Sequence, residues 1–411
     1  MQCGGSKNAT LPVLASALAV SGAVELQNVP RLHDVDTMLE LLVSLGMQAT
    51  QTAADIWILQ PPEQMSLHAD YRLVSRMRAG ICVLGPLLSR FGGAVVALPG
   101  GCRIGHRPVD LHLRGLAALG AEIEIREGYI HARAAEGLRG AELKLSGPAG
   151  PTVTGTCNLL VACSLARGKS ILHGAAREPE VEELARFLTA AGAQISGAGT
   201  STIEISGVDE LRPVCHRLPA DRIEAATLAI AALITGGKVS IQHAPVQHMQ
   251  SVLNLLSDCG GQLSQTDTGL QVCSADRLNS TSIVTQPYPG IPTDLQAQLM
   301  ALMCLAEGTS HVTETVFPER FQHVPELIRL GAQIQRHGST AIVDGVPELS
   351  GAPLLATDLR ASAALVLAGL AARGTTEVHR ISHLDRGYQQ FDLKLRSLGA
   401  RIDREGSTGE S

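Results

Sequence analysis

Two kinds of apolar pattern alternate along this chain, and each returns six times. The first has hydrophobic residues at helical spacing and a glycine at its end, as in "VDTMLELLVSLG", "VEELARFLTAAG" and "VPELIRLG". Such spacing predicts an amphipathic helix, and the glycine supplies the left-handed residue that closes it. The six glycines are Gly46, Gly120, Gly192, Gly260, Gly331 and Gly399, about 70 residues apart. Most are followed by alternating residues around a polar turn, for example "AQISGAGTSTIEISGV", which predicts a two-stranded hairpin.

The second pattern is apolar on all sides and runs into a short strand. Examples are "NATLPVLASALAVSGAVELQNV", "GTCNLLVACSLARGKSILHG", "DRIEAATLAIAALITGGKVSIQH" and "DLRASAALVLAGLAARGTTEVHR". A helix with no polar face has to be covered all round. The two patterns together predict an α/β chain of six βαβαββ-type repeats, whose apolar helices are buried inside a shell of sheet. A chain of 411 residues exceeds what one core usually fills, so three repeats are expected in each of two domains. Residues 7–219 are expected to form the first, and residues 220–411 with 1–6 the second.

Composition narrows the function. Aromatic residues are 2% of the chain, which excludes base-stacking platforms, and a net charge of −6 excludes a general nucleic-acid binder. Nine cysteines lie singly with no CxxC, as expected of reduced thiols in a cytoplasmic protein rather than a disulfide frame. No HExxH or Cys/His zinc spacing occurs, so no metal is expected. The apolar "LPVLASALAV" after Lys7 imitates a signal peptide, but the same kind of segment recurs in every repeat. No apolar run reaches the roughly 18 residues of a membrane helix, so no membrane association is expected.

Charge is placed at repeat-equivalent positions. Lys7 with Asn8, Arg78, Asn158, Asp221 with Arg222, Asp294, and Asp358 with Arg360 fall at or near the starts of the apolar helices. Helix starts hold anions, while Asp there also serves as an N-cap. A second set follows the next strand: Cys102 with Arg107, Arg177 with Glu178, Arg320, and Arg386. If the two domains face each other, both sets line one cleft. Within "LPGGCRIGHRPVDLH", Cys102 has glycines on one side and Arg103, His106 and Arg107 on the other, a setting that favours thiolate and reaction. Cys82, Cys163 and Cys304 lie in the apolar helices and read as packing.

These residues carry a resemblance over essentially the whole chain. "GGSKNATLP", "RMRAGICVLGPL", "LPGGCRIGHRPVDLH", "LPADRIEAAT", "PYPGIPTDLQAQLM", "TVFPERFQHVPEL", "ATDLRASAALVLAG" and "LDRGYQQFDLKLRSLGA" resemble the UDP-N-acetylglucosamine enolpyruvyl transferase (1-carboxyvinyltransferase) family. Its members start bacterial peptidoglycan precursor synthesis. The glycine-serine phosphate motifs of the related shikimate-pathway enolpyruvyl transferase are not found. The resemblance implies a two-domain inside-out α/β barrel, with three repeats per domain. It implies transfer of the enolpyruvyl group of phosphoenolpyruvate to the 3'-hydroxyl of UDP-N-acetylglucosamine, with release of phosphate. It implies no cofactor, small-molecule substrates as the partners, and a monomer.

Residue by residue, the resemblance makes Cys102 the general acid toward the phosphoenolpyruvate methylene. It makes Lys7, Arg107 and Arg386 the grip on phosphate and carboxylate, and Asp294 the carboxylate at the sugar hydroxyl. Asn8, Arg78 and Val316 match sugar-nucleotide contacts, and Arg107, Pro108, Val109, Asp110 and Leu111 match the segment along the uridine and diphosphate. Two departures stand out. The family's "SVGAT" loop, whose amides hold the diphosphate, is "TVTGT" here (Thr152–Thr156), which raises a paralogue with another nucleotide acceptor as the rival enzyme reading. The chain also begins six residues before Lys7, and its sixth repeat supplies no second strand. The expectation drawn from this is a shortened start and an open sheet edge, with a non-catalytic binding protein as a further alternative.

Overall fold

The computed structural model describes residues 1–62, 64–99, 109–147, 150–275 and 277–405. It divides into an N-terminal unit, Gly5–Ala220 with Pro287–Pro289, and a C-terminal unit, Met1–Gly4, Asp221–Gln286 and Gly290–Ser411. We number the apolar helices of the six repeats α1 (Lys7–Ser16), α2 (Leu84–Phe91), α3 (Val153–Ser164), α4 (Arg222–Ile234), α5 (Gln296–Met303) and α6 (Leu359–Ala371). Every residue of α4 and α5 is buried, as is α3 from Gly155 onward. Each fully covered leucine in them contributes roughly 1.5–3 kcal/mol.

The amphipathic stretches form the second helix of each repeat, such as His33–Ser44, Pro179–Ala190 and Gln250–Asp258. The six repeat glycines lie just past these helices at φ between +93° and +109°, the left-handed region where a side chain is strained. At the first, the N–H of Met47 returns to the carbonyl of Leu42 and closes the last turn.

One sheet rule runs through the repeats. The strand after the apolar helix pairs antiparallel with the second strand of its own hairpin, and parallel with the strand that leads in from the preceding repeat. In the third repeat, Lys169–His173 pairs with Thr202–Ser206 on one side and with Glu142–Lys144 on the other. The same order holds around Gly93–Ala97 and Thr309–Thr313. In the N-terminal unit the cycle closes when Val214–Arg217, after the third hairpin, pairs parallel with Val24–Gln27 of the first repeat. One hydrophobic cluster from Leu11 to Leu218 fills that unit.

In the C-terminal unit the lead-in position beside Lys238–Gln242 is taken by the first residues of the chain. Gln2 bridges Gln242 in parallel, and the Met1 ammonium donates to the Ser240 carbonyl at 2.6 Å. Among the described residues the sixth repeat keeps a two-stranded sheet, Pro353–Leu355 with Glu377–His379.

Candidate active site

In the N-terminal unit, Ser6 caps α1 by accepting the Ala9 N–H, so Lys7 and Asn8 become its first two residues. The Lys7 ammonium lies 2.6 Å from an Asp34 carboxylate oxygen, and both side chains are buried. Asp34 sits in the first turn of the helix His33–Ser44, where the dipole favours an acid. A buried pair this close fixes the lysine as a charged, immobile group.

Arg78 opens the short helix Arg78–Val83 that leads into α2. Buried Asn158 joins three elements: its amide oxygen accepts the Gly85 N–H at 2.6 Å, and its nitrogen donates to the Ile81 carbonyl at 2.9 Å. The other amide hydrogen faces His112 Nδ1 at 3.1 Å, so that nitrogen is the acceptor. The ring proton is therefore on Nε2, which donates to the Thr154 hydroxyl at 3.3 Å. Burial, helped by the Arg78 charge, pushes His112 down to about 3 and keeps it neutral. Asn158, expected at or near a helix start, lies near it rather than at it. Thr152 caps α3 and the helix begins at Val153, which puts Asn158 in its second turn.

Asp110 and Leu111 are the first residues of the helix Asp110–Ala118, with Val109 directly before it. Cys102, Arg107 and Pro108 lie outside the described residues. The "TVTGT" departure has a local cause. The Thr152 hydroxyl accepts the Gly155 N–H at 3.2 Å, which fixes its rotamer. The methyl then lies 2.4 Å from where a Cβ on residue 155 would be. Threonine at 152 thus disfavours alanine at 155, which couples the departures at 152 and 155; this clash does not account for Thr154.

In the C-terminal unit, Asp294 lies in the turn Thr293–Leu295 that precedes α5. Arg320 Nη1 donates to one of its oxygens and Arg360 Nη2 to the other, each at 3.0 Å. Both arginines are buried. Burial alone would push the Asp294 carboxyl up, but the charges of Arg360 and Arg320 and their hydrogen bonds outweigh it and hold it well below the usual range. Asp221 and Asp358 are N-caps. Asp221 accepts the N–H groups of Ile223 and Glu224, and Asp358 those of Arg360 and Ala361.

Val316 follows the strand Thr309–Thr313 and donates its N–H to Glu314 at 2.8 Å. Arg386 ends the short helix Ile381–Arg386. Two residues on, the Tyr388 hydroxyl bonds Thr227 of α4 and Gln298 of α5, each at 3.0 Å, and Gln298 also donates to the Asp294 carbonyl. Arg360 of α6 lies over the Tyr388 ring, 5.2 Å from its centre. The polar centre of this unit therefore ties Asp294, Arg360 and the Arg386 segment to the three apolar helices. Sequence reasoning missed Asp34, His112, Glu314 and Tyr388. Asp34 carried only the signal of an acid in a helix's first turn, and the others carried none.

The family model for EPSP synthase (3-phosphoshikimate 1-carboxyvinyltransferase) matches residues 1–395. The chain is 52% identical over 405 residues to the UDP-N-acetylglucosamine 1-carboxyvinyltransferase of Anaeromyxobacter sp. (strain Fw109-5), covering 98% of this chain and 95% of that one. It is 50% identical over 407 residues to the protein of the same name from Myxococcus xanthus (strain DK1622), covering 98% and 96%. Among solved structures, the enolpyruvyl transferase NikO from Streptomyces tendae matches with a TM-score of 0.87 at 25% identity, over 97% of this chain and 94% of that one. An EPSP synthase from Acinetobacter baumannii has the same fold at a TM-score of 0.77 and 17% identity, over 99% and 97%.

Proposed function

We infer function from one premise: this chain belongs to the EPSP synthase (3-phosphoshikimate 1-carboxyvinyltransferase) family. It is a transferase that moves the enolpyruvyl group of phosphoenolpyruvate to the 3'-hydroxyl of UDP-N-acetylglucosamine and releases phosphate, a step of peptidoglycan precursor synthesis. The observation that carries this is the 52% identity over 405 residues with the UDP-N-acetylglucosamine 1-carboxyvinyltransferase of Anaeromyxobacter sp. (strain Fw109-5).

The residue roles are part of the proposal. The Cys102 thiol gives its proton to the phosphoenolpyruvate methylene while the sugar oxygen bonds to the adjacent carbon. That carbon then carries both the sugar oxygen and the phosphate. Loss of phosphate, which carries away the proton of the sugar hydroxyl, and return of one methyl proton to the Cys102 thiolate restore the double bond. Lys7, Arg107 and Arg386 hold the phosphate and carboxylate of the substrate, where several cations and forked donors suit a small polyanion. Asp294 accepts the hydrogen bond of the 3'-hydroxyl and aims its oxygen. Asn8, Arg78, Val316 and the segment from Arg107 to Leu111 hold the sugar nucleotide. A monomer in the cytoplasm fits the scattered cysteines, and the eight described are all unpaired. No helix among the described residues is long and apolar enough to cross a membrane.

The test is phosphate release from phosphoenolpyruvate with UDP-N-acetylglucosamine and with UMP in parallel. Release with the sugar nucleotide alone is expected. Release with a different nucleotide acceptor would make the Thr152–Thr156 loop a specificity determinant, and no release with any acceptor would overturn the reading.

A further inference from the structure

We propose that Glu314 is a positioning residue for this reaction, a buried carboxylate that joins the Asp294 turn to the Val316 loop. The inference rests on the roles just given to those two residues.

Glu314 is fully buried and has no ion-pair partner among the described residues. A carboxylate is costly in such a place unless hydrogen-bond donors surround it. Four do. One oxygen accepts the Thr285 hydroxyl at 2.7 Å and the backbone N–H groups of Val316 and Phe317 at 2.8 and 3.0 Å. The other accepts the Thr293 hydroxyl at 2.9 Å. Two of these donors belong to the turn just after Glu314, and the two threonines come from a segment that precedes it in sequence.

Both hydroxyls pass the constraint on. Thr285 accepts the Thr315 N–H at 3.0 Å and, through its carbonyl, the Thr315 hydroxyl. Thr293 accepts Arg320 Nη1 at 3.0 Å, and the same nitrogen donates to Asp294 at 3.0 Å. A line of directed hydrogen bonds thus runs from the Val316 amide through Glu314, Thr293 and Arg320 to the Asp294 carboxylate. Each hydroxyl in it spends its proton on Glu314 and its lone pairs on a donor from the site. Glu314 itself faces the interior and touches no group assigned to substrate binding except the Val316 backbone. Its work is to hold Asp294 and Val316 at a fixed separation, so that the sugar hydroxyl and the nucleotide contact are set together.

The test uses Glu314→Gln, Thr293→Val and the double variant, with the kinetic constants of both substrates. An amide at 314 keeps its oxygen for the three clustered donors when its nitrogen faces Thr293 and donates to that hydroxyl, reversing the link that Thr293→Val removes, so both substitutions act on the same link. Each is expected to lower kcat about tenfold and to raise the KM for UDP-N-acetylglucosamine about fivefold, with the KM for phosphoenolpyruvate within about twofold. The double variant is expected to be no worse than about twofold below the poorer single one, because one line cannot be cut twice. Additive losses, a rise in both KM values alike, or constants within twofold of wild type would overturn the inference. Thr293→Val leaves three donors on the carboxylate and keeps the test open if Glu314→Gln fails to fold. A wild type that releases no phosphate with UDP-N-acetylglucosamine would instead overturn the functional reading beneath it.

Discussion

Asp294 shows how a single residue's surroundings decide its role. Two buried guanidinium groups hold it ionised, far from the pKa at which a carboxylate works well as a proton acceptor near neutrality. In the proposed role this favours orienting the acceptor hydroxyl over carrying its proton. Asp294→Asn removes the charge at nearly constant shape. The expected result is a kcat loss of about a hundredfold or more with nucleotide affinity within about threefold, read from steady-state rates and calorimetric titration. Turnover near wild type would remove Asp294 from the reaction. Asp294 was legible in the sequence because its motif is specific. Its surroundings were legible only in part. Arg320 and Arg360 stood out as charges at repeated positions, whereas Asp34 and Glu314 fall in neither repeated set. What makes them matter is burial, which tertiary packing decides and local sequence does not.

At the scale of the element, most of the fold could be read in advance. Six helices without a polar face and six glycines at one spacing leave few other arrangements, and the glycine conformations bear this out. The start of α3 is where the structure sharpens the reading. Asn158 is one of the polar residues at or near the helix starts; the cap itself is Thr152, and the helix accepts Asn158 because Ile81, Gly85 and His112 satisfy its amide. The same cap predicts a coupled pair. Gly155→Ala forces a methyl against Thr152, whose rotamer cannot turn without breaking the cap. A loss of about 1–3 kcal/mol is expected in urea denaturation. Adding Thr152→Ser removes the clashing methyl and keeps the cap, so the double variant is expected to recover most of that loss. Equal stability of Gly155→Ala and wild type would show that the loop relaxes freely.

For the molecule as a whole, each unit carries, among the described residues, one deeply buried histidine that folding keeps neutral. His112 in the N-terminal unit is pushed down to about 3 by burial and the Arg78 charge. His323 in the C-terminal unit is pushed down to about 4 by burial, which with Arg320 outweighs the opposing pull of Asp358. An unfolded histidine takes its proton near 6.5, so below that pH the unfolded chain binds protons that the folded chain refuses. The stability contributed by neutral burial is thus complete above about 6.5 and falls as the pH drops toward the folded values, by up to about 1.4 kcal/mol per pH unit for each group. Denaturation midpoints between pH 6.5 and 5, above most carboxylate titration, are expected to fall, and His112→Gln and His323→Gln are each expected to flatten the slope. A slope unchanged by both would refute the assignment.

The parallel bridge between Gln2 and Gln242 has a consequence for how the chain is made. Residues Met1–Gly4 belong to the C-terminal unit, yet the ribosome delivers all of Gly5–Ala220 before it delivers their partner strand Lys238–Gln242. The N-terminal unit has its three repeats and its closing strand Val214–Arg217 in hand while Gln2 is still without its bridge partner. Synthesis therefore sets an order: one unit can assemble its repeats on the growing chain, while the other has to hold its earliest residues in reserve and close last.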